Sequence, residues 1–339
     1  MSSPIKPSPK PGTVIVTGGA GLIGSALVWA LNQRGQDNIL IVDRLTTSEK
    51  WRHLPPLRFV DYLQADDFLA RVEAAPAQFG TVVTLFHLGA CSSTIERDAA
   101  YLISNNFEFT KKIGLWAVSR RARFIYASSA ATYGNGAQGM DDKEENLARL
   151  RPLNMYGYSK HLFDVFAQRT GMLKNIIGLK FFNVFGPNED HKGEMRSVVA
   201  KAYEQIVATG RISLFKSHRP EYEDGKQMRD FLYVKDAVEM TLHLADRPLA
   251  GGIYNIGSGD AHTWLELAHA IFGALGRDPV VDFVDMPDHL REKYQYFTCA
   301  DIGKLRATGY SKPITPLPEA VRDYVVNYLF PGKFLGDPP

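Results

Sequence analysis

Through the first 180 residues, short runs of β-branched and aromatic residues alternate with longer segments whose apolar residues recur at helical spacing. The predicted strands are Thr13–Thr17, Asn38–Asp43, Phe59–Tyr62, Thr81–His87, Arg123–Ala127 and Ile176–Phe182, and the predicted helices between them are Leu22–Arg34, Asp66–Ala74, Asn105–Ser119 and Met155–Thr170. Strands that alternate with helices are typical of βαβ units, whose sheet is parallel. The sequence therefore predicts an α/β fold with a doubly wound parallel sheet.

The segment between the first predicted strand and the first predicted helix reads TGGAGLIG at residues 17–24. It fits GxGxxG through Gly19, Gly21 and Gly24, and it fits GxxGxxG through Gly18, Gly21 and Gly24. Glycines at this spacing allow a tight turn and a close backbone approach to a pyrophosphate, whose charge the free N–H groups of the helix N-terminus bind. Such a turn can be purely structural, but between a strand and a helix it predicts dinucleotide binding.

The residues after the second predicted strand leave the choice of dinucleotide open. Asp43 favours NAD, because a carboxylate at this place bonds the hydroxyls of the adenosine ribose. Arg44 and Lys50 are cations that would neutralise a 2′-phosphate and thereby favour NADP. The alternative for both is a solvated surface loop with no role in binding.

A YxxxK motif, Tyr156 to Lys160, stands where a helix is predicted to begin, and Ser129 ends the strand before it. Residues four apart lie on the same side of a helix, so Lys160 can lie beside Tyr156. The cation, together with a positive nicotinamide ring, would favour the phenolate and make Tyr156 an acid or base near neutral pH. Ser129 would hydrogen-bond the reacting oxygen. Together with the glycine turn, these residues predict catalysis.

The pattern loosens after Phe182, and a chain of 339 residues exceeds the usual size of a single core. One helical segment, Arg196–Ala208, lies among Gly, Pro and charges, which is typical of a substrate-binding insertion. A strand-like Gly252–Ile256 and helices near His262–Leu275 and Leu317–Tyr328 follow. We predict a dinucleotide-binding domain of residues 12–183 and about 229–257, a smaller, discontinuous α/β substrate-binding domain of about 184–228 and 258–330, and flexible tails at 1–11 and 331–339.

Composition and residue spacing limit the kinds of binding partner that we expect for the protein. The 39 basic and 37 acidic residues are scattered and give a net charge of +2, which indicates no basic surface for nucleic acid. Cys91 and Cys299 have no CxxC spacing and the nine histidines show no HExxH, so we expect no metal and a reducing compartment. Apolar stretches are too short to span a membrane and the first residues lack a signal-peptide core, so we expect a cytoplasmic protein with no membrane partner.

Five further motifs carry a resemblance to a known family: HLGACSST at residues 87–94, YASSAATYG at 126–134, FNVFGP at 182–187, HKG at 191–193 and RDF at 229–231. With the glycine turn and YxxxK, they make the chain from about Thr13 to Tyr310 similar to the extended short-chain dehydrogenases/reductases, the NAD(P)-dependent epimerase/dehydratase family. Within that family they resemble the branch that inverts C6″ of ADP-activated heptoses for lipopolysaccharide. The resemblance implies a Rossmann-type sheet, NADP as the usual cofactor, an ADP-heptose substrate and a homo-oligomer, pentamers included.

The resemblance also implies site residues. The cofactor would be surrounded by Gly18, Gly21, Leu22, Ile23, Gly24, Asp43, Arg44, Lys50, Leu88, Gly89, Ala90, Cys91, Ser92, Asn105, Tyr156, Lys160, Val184 and Lys192. The substrate would be held by Ser129, Asn183, Glu194, Lys201, Phe215, Lys216, Ser217, His218, Arg229 and Tyr294. The cations Lys192, Lys201 and Arg229 suit the two phosphates of an ADP moiety on physical grounds as well. Glu194 stands where the family often has a serine, so we expect it to face away from the pyrophosphate or to pair with a cation.

The mechanism implied by the resemblance is epimerisation through transient oxidation. NADP would take a hydride from C6″ while a base takes the hydroxyl proton, and the resulting ketone would reorient and receive the hydride on its other face. Two proton-transfer groups are required, and the resemblance implies Tyr156 for one and Lys192 for the other. The predicted catalytic residues are therefore Tyr156, Lys160, Lys192 and Ser129.

Three other functions share parts of this pattern. A UDP-sugar 4-epimerase would use the same glycine turn, Tyr156 and Lys160. A nucleotide-sugar 4,6-dehydratase needs an Asp-Glu pair after the catalytic hydroxyl, where this chain has Ala130 and Ala131. A non-catalytic NADP sensor can do without the Tyr and Lys that this chain keeps.

Overall fold

The computed structural model describes residues 12–248, 251–291 and 294–338, so the predicted tail at 1–11 lies outside the described residues. Its strands are β1 (Thr13–Thr17), β2 (Ile39–Asp43), β3 (Asp61–Gln64), β4 (Val82–His87), β5 (Arg123–Ser129), β6 (Ile176–Phe181), β7 (Asn183–Phe185), β8 (Ile212–Phe215), β9 (Met228–Tyr233), β10 (Gly252–Ile256), β11 (Ala261–Thr263) and β12 (Val281–Val284). Within the described residues, every helix is too short or too polar to span a bilayer.

The α-helices are α1 (Leu22–Gln33), α2 (Ala65–Ala74), α3 (Ala99–Leu102), α4 (Phe109–Ser119), α5 (Met155–Arg169), α6 (Val198–Thr209), α7 (Val234–Asp246), α8 (Trp264–Ala274), α9 (Asp288–Arg291), α10 (Gly303–Ala307) and α11 (Leu317–Tyr324). Short 3-10 helices cover Glu49–His53, Pro76–Phe79, Ala130–Tyr133, Glu144–Arg149, Met172–Lys174 and Asp190–Met195. Two π-helical segments, Ile103–Glu108 and Val325–Leu329, extend neighbouring α-helices.

The main sheet has seven parallel strands in the order β10-β6-β5-β4-β1-β2-β3. Every residue of β2, β6 and β10 is buried, because helices cover both faces of the sheet. The strand order reverses between β1 and β4, where successive crossovers leave on opposite sides and open a crevice at the carboxyl ends of the strands. The prediction of a doubly wound, Rossmann-type α/β fold is confirmed.

A smaller lobe contains two further sheets, one of strands β11-β9-β7 and one of strands β12-β8. Strand β10 returns to the main sheet beside β6, and α7 packs against α1. Strand β9 pairs with β7 and β11 and not with the main sheet. The proposed domain division, with residues 12–183 and about 229–257 in the dinucleotide-binding domain, stays a prediction.

Two segments differ from their predicted form. The strand expected at Phe59–Tyr62 forms two residues later, because β3 aligns with β2 through Leu40 opposite Asp61. The tail expected at 331–339 packs on the main lobe over its described residues, since Leu335 is fully buried and its N–H donates to Asn188 Oδ1 at 3.0 Å. Burial of the apolar Leu335 side chain fixes the position of the backbone around it.

Candidate active site

Two connected cavities open at the carboxyl ends of the parallel strands. The larger, of about 440 Å³, lies between the sheet and the smaller lobe, and the smaller, of about 180 Å³, continues past the end of β2. They share Gly18, Asp43, Lys50, Gly89 and Ala90 along their walls. All eighteen residues predicted to surround a cofactor line one cavity or the other.

Two glycines of the turn, Gly18 and Gly24, leave no room for a side chain. Gly18 has φ +70°, and a Cβ there would lie 2.5 Å from the backbone nitrogen of Gly89. A Cβ on Gly24 would lie 1.9 Å from the carbonyl oxygen of Gly18. Helix α1 begins after Gly21 with no side-chain cap, so its first N–H groups face the larger cavity. This arrangement fits the pyrophosphate of a dinucleotide.

Carboxylates and cations pair at the end of β2. Asp43 Oδ2 accepts from the N–H of Ala20 at 2.8 Å, and Asp43 Oδ1 pairs with Lys50 at 2.6 Å. Arg44 pairs at 2.5 Å with Asp66, the second residue of α2. Arg44 also donates to Asn105. Both predicted cations therefore line the smaller cavity, each held by a carboxylate. Asp66 was not predicted, and its place in the first turn of a helix after β3 is the sequence signal that could have indicated it.

Tyr156 and Lys160 lie one turn apart at the start of α5, as their spacing predicts. Asn154 caps this helix by accepting from the N–H of Gly157 at 2.8 Å, which fixes where the turn begins. Lys160 is buried and donates to the carbonyl oxygen of Ala127 in β5 at 2.8 Å. Ser129, at the end of β5, completes the group, and all three side chains reach the larger cavity.

The surroundings of these groups shift their protonation equilibria. Burial raises the pKa of Tyr156, while a hydrogen bond with Ser129 acts in the opposite direction. Burial lowers the pKa of Lys160 to about 8, against the attraction of Asp164. Burial also lowers the pKa of Lys192, which lines the same cavity, against the charge of Glu189. The cavity therefore holds two lysines whose protons are released more readily than usual, beside a phenol.

The buried cation of Lys160 predicts a pH-dependent change in stability. Its pKa is about 8 in the folded chain against 10.5 as the ordinary value, so the unfolded chain binds more protons between these limits. The folded wild type should therefore gain stability relative to Lys160→Met as pH rises from about 8 to 10.5, by about 3 kcal/mol in total. Thermal melts of both cofactor-free proteins at pH 7, 9 and 10 measure this gain.

The matched control is Lys174→Met, which removes an exposed lysine after α5. Its difference from wild type should stay nearly constant over the same pH range, because an exposed side chain has similar surroundings in the folded and the unfolded chain. A Lys160→Met difference that is equally constant would contradict the lowered pKa of Lys160.

The ten residues predicted to hold the substrate divide into two groups. Ser129 and Asn183 line the larger cavity. The other eight do not line it: Glu194, Lys201, Phe215, Lys216, Ser217, His218, Arg229 and Tyr294. Glu194 is exposed, as expected for a carboxylate that faces away from a pyrophosphate, and its carbonyl oxygen accepts from Lys201 Nζ at 3.1 Å. Lys216 pairs with the exposed Asp285 at 3.1 Å.

Arg229 and Tyr294 both contact a third residue, Trp264, and it is Trp264 that lines the larger cavity. The buried guanidinium of Arg229 lies 5.6 Å from the Trp264 ring centre and 5.1 Å from that of Tyr294. Trp264 Nε1 donates to the Tyr294 hydroxyl at 2.8 Å, and Trp264 also lines the larger cavity. Sequence reasoning missed Trp264. The available signal was the capping box Thr263-x-x-Glu266, which places this tryptophan at a helix N-terminus.

One histidine and carboxylate cluster lies beside the larger cavity. His53, Asp190 and His191 each bring a potential metal-ligand atom within 4.8 Å of the others. His53 Nε2 lies 2.6 Å from Asp190 Oδ1, which is the distance of a hydrogen bond and leaves no space for an ion between these atoms. Cys91 and Cys299 are both free thiols. That no metal is bound and that the compartment is reducing remain predictions.

Comparison with known proteins places the fold and the cavity in a family. The profile of the NAD dependent epimerase/dehydratase family matches residues 14–257. A curated relative from Nitratidesulfovibrio vulgaris, an ADP-L-glycero-D-manno-heptose-6-epimerase, is 51% identical over 315 residues, which are 93% of this chain and 97% of that protein. The chain belongs to the NAD dependent epimerase/dehydratase family.

Solved structures agree with this assignment. The ADP-L-glycero-D-manno-heptose-6-epimerase of Helicobacter pylori superposes with a TM-score of 0.78 at 25% identity, over 93% of this chain and 96% of that one. The UDP-glucose 4-epimerase of Thermus thermophilus, in complex with NAD, has a TM-score of 0.75 at 27% identity, over 94% and 99%. The predicted resemblance to an epimerase of the isomerase class is confirmed, and a nicotinamide dinucleotide is indicated as the cofactor.

Proposed function

We propose that the protein is an ADP-glyceromanno-heptose 6-epimerase, which interconverts ADP-D-glycero-D-manno-heptose and ADP-L-glycero-D-manno-heptose for the lipopolysaccharide core. The observation that carries the proposal is that Tyr156, Lys160, Ser129 and Lys192 line the same cavity as the glycine turn. Curated relatives with the same activity in their names extend over nearly the whole chain. The family, the cavity and the residues that line it therefore all support epimerisation of an ADP-heptose.

The proposed chemistry needs a proton acceptor at the C6″ hydroxyl and a proton donor after the ketone has reoriented. A bound nicotinamide supplies the hydride acceptor and later the hydride donor, so the reaction has no net redox change. Ser129 hydrogen-bonds the reacting oxygen, and Tyr156 takes or returns its proton on one face. Lys160 stabilises the phenolate with its cation. Lys192, whose lowered pKa makes it a usable base, serves the other face.

The proposed cofactor is NADP, with NAD as the alternative. Arg44 and Lys50 supply cations at the wall of the smaller cavity, where an adenosine ribose would lie. Asp66 is largely exposed, so a 2′-phosphate can replace it as the partner of Arg44 at little cost. Asp43 is buried, and both of its carboxylate oxygens already accept hydrogen bonds, Oδ2 from Ala20 and Oδ1 from Lys50, so it is less free to bind a ribose hydroxyl.

The proposed substrate site extends from the reacting groups toward the smaller lobe. Asn183 and Ser129 hold the heptose end, and Arg229 with Tyr294 and Trp264 supplies a cation and aromatic faces for the ADP end. A cytoplasmic location and a homo-oligomer, with a pentamer as one possible state, are also part of the proposal. An apolar groove beside Trp51 and Val60, both exposed, supports self-association.

The test is proton NMR of the purified protein with ADP-D-glycero-β-D-manno-heptose and no added cofactor. We expect the C6″ signals to change to a mixture of both epimers, because the cofactor is regenerated in each turnover. The supernatant of the denatured protein should contain NADP. UDP-glucose serves as the control substrate and should remain unchanged.

Other outcomes separate the alternatives. Conversion of UDP-glucose in place of the heptose would establish a 4-epimerase. No conversion of either sugar, even after NADP and NAD are supplied, would leave a cofactor-binding sensor as the better account. Release of NAD alone would contradict the NADP assignment without affecting the reaction.

A further inference from the structure

His53 connects two parts of the active site that lie far apart in the sequence. It is fully buried and ends the 3-10 helix Glu49–His53, shortly after β2. Its Nδ1 lies 2.7 Å from the carbonyl oxygen of Ala20, which belongs to the glycine turn. Its Nε2 lies 2.6 Å from Oδ1 of Asp190, the first residue of the 3-10 helix that carries Lys192. One imidazole ring therefore contacts both the turn and the Lys192 segment.

Both partners of His53 are hydrogen-bond acceptors. The carbonyl oxygen of Ala20 can only accept, so Nδ1 donates to it, and the Asp190 carboxyl group shares a proton with Nε2. Burial would raise the pKa of Asp190, but the hydrogen bond and charge of His53 lower it overall. A charge-assisted bond of this kind is short and directional, so it fixes the relative position of its two partners.

The C-terminal segment covers the ring of His53. The Phe334 ring centre lies 5.2 Å from that of His53, and the His191 ring approaches His53 edge-on at 5.1 Å. The N–H of the buried Leu335 donates to Asn188 Oδ1, and Asn188 Nδ2 donates to Ser25 Oγ in α1 at 2.9 Å. These contacts bury the His53 end of the His53–Asp190 bond, while 39% of the Asp190 side chain is exposed.

We propose that His53 is a positioning residue, which couples the glycine turn to the Lys192 segment through Asp190. This inference rests on the proposed function, in which the turn binds the cofactor pyrophosphate and Lys192 transfers a proton. Ala20 also donates to Asp43, so the same turn is fixed on its other side by the end of β2. Cofactor bound on the turn and the ammonium of Lys192 are consequently held in one rigid frame.

Two substitutions separate the two bonds of His53. Asn carries an amide nitrogen near the place of Nδ1, so His53→Asn retains the bond to Ala20 and loses the bond to Asp190. Gln carries its amide nitrogen near the place of Nε2, so His53→Gln retains the bond to Asp190. Asp190→Asn removes the carboxylate with little change in volume. His243→Asn, at a half-buried histidine in α7 that bonds Thr308, is the matched control for the loss of an imidazole.

The experiment measures kcat and KM for the heptose, the dissociation constant for NADP, and the melting temperature. We expect His53→Asn and Asp190→Asn to lower kcat at least about 10-fold with KM and NADP affinity within about twofold, because Lys192 is misplaced and binding is intact. His53→Gln keeps the bond to Asp190 but releases the turn, so it should recover only part of the loss. The double variant His53→Asn/Asp190→Asn should be no slower than either single one. The His243→Asn variant should keep its kcat.

A second measurement does not depend on turnover. Hydrogen exchange of residues 189–196 is followed in cofactor-stripped protein before and after NADP is added. We expect NADP to slow exchange there in the wild type and much less in His53→Asn. Equal protection in both proteins, or a kcat of Asp190→Asn within twofold of wild type, would overturn the coupling. If the wild type turns over no heptose, the proposed function fails, and the exchange measurement still decides the coupling.

Discussion

We expect the Tyr156→Phe variant to lose about 10³-fold in kcat for heptose epimerisation, because it removes one of the two groups that move the C6″ hydroxyl proton. Ser129 loses its hydrogen bond with the phenol, and the rest of the site should be unaffected. Phe occupies the same space, and the cap of α5 at Asn154 and the bond from Lys160 to Ala127 do not involve the hydroxyl. NADP content and melting temperature should therefore stay close to those of wild type.

Tyr158 provides a matched control. It lies two residues further along α5, and 45% of it is exposed, so Tyr158→Phe removes a phenol from the same helix without touching the cavity. Its kcat should equal that of wild type. A Tyr156→Phe variant that epimerises as fast as the Tyr158→Phe variant would refute the role of Tyr156.

The two epimers, given separately to the Tyr156→Phe variant, test the division of labour with Lys192. If Lys192 serves the second face, one epimer should still be oxidised to the ketone, which can be trapped, or detected through the reduced nicotinamide that forms with it. The other epimer should be inert. Loss of oxidation for both epimers would show that Tyr156 acts on both faces and would remove the proposed role of Lys192.

The parts of the site that the sequence predicted correctly are local. The glycine turn and the Tyr156–Lys160 pair depend on residues within one turn of each other, so their spacing alone places them. Strands β1, β4, β5 and β6 lie within two residues of their predicted bounds, because each is a short segment built mainly of β-branched, aromatic and other apolar residues. The residues of the predicted cofactor site then lie close together, because parallel strands bring their carboxyl ends to one edge of the sheet.

The parts that were missed depend on contacts across long stretches of chain. Helix α7 has no side-chain cap at Tyr233, so it lacks the usual sequence signal for a helix start. Strands β8 and β12 pair at about 70 residues' separation, as in Ile212 with Val281, and neither has an obvious strand pattern by itself. The aromatic group around Arg229 is assembled from β9, α8 and the segment after α9, so no single motif could indicate it.

A buried ion pair beneath the catalytic helix should control stability. Lys180 in β6 and Asp164 in α5 are both fully buried, with Lys180 Nζ 3.3 Å from Asp164 Oδ2. Asp164 also accepts from the Tyr126 hydroxyl at 2.9 Å and from Ser128 Oγ at 2.7 Å. Asp164 lies one turn after Lys160, so this network joins the helix that carries the catalytic pair to strands β5 and β6.

We expect Lys180→Met to destabilise the protein by about 3–5 kcal/mol, because it leaves the Asp164 carboxylate buried without its cation. The melting temperature should fall by roughly 4–7 °C. Lys112→Met is the control, since Lys112 pairs with Glu73 at 2.9 Å where both are about half exposed, and solvent screens such a pair so that it contributes little to stability.

The double variant Lys180→Met/Asp164→Leu distinguishes an unpaired charge from a packing defect. If Lys180→Met is destabilising because it leaves the Asp164 carboxylate without a cation, removing that carboxylate should recover much of the lost stability. The recovery is not complete, because the hydroxyls of Tyr126 and Ser128 then lose an acceptor. A double variant no more stable than Lys180→Met would mean that the lysine acts through packing, for example through its ammonium 4.5 Å from the Tyr133 ring centre. Partial recovery with low kcat would show that the ion pair also holds Tyr156 and Lys160 at the distance that catalysis requires, because α5 is then free to shift on the sheet.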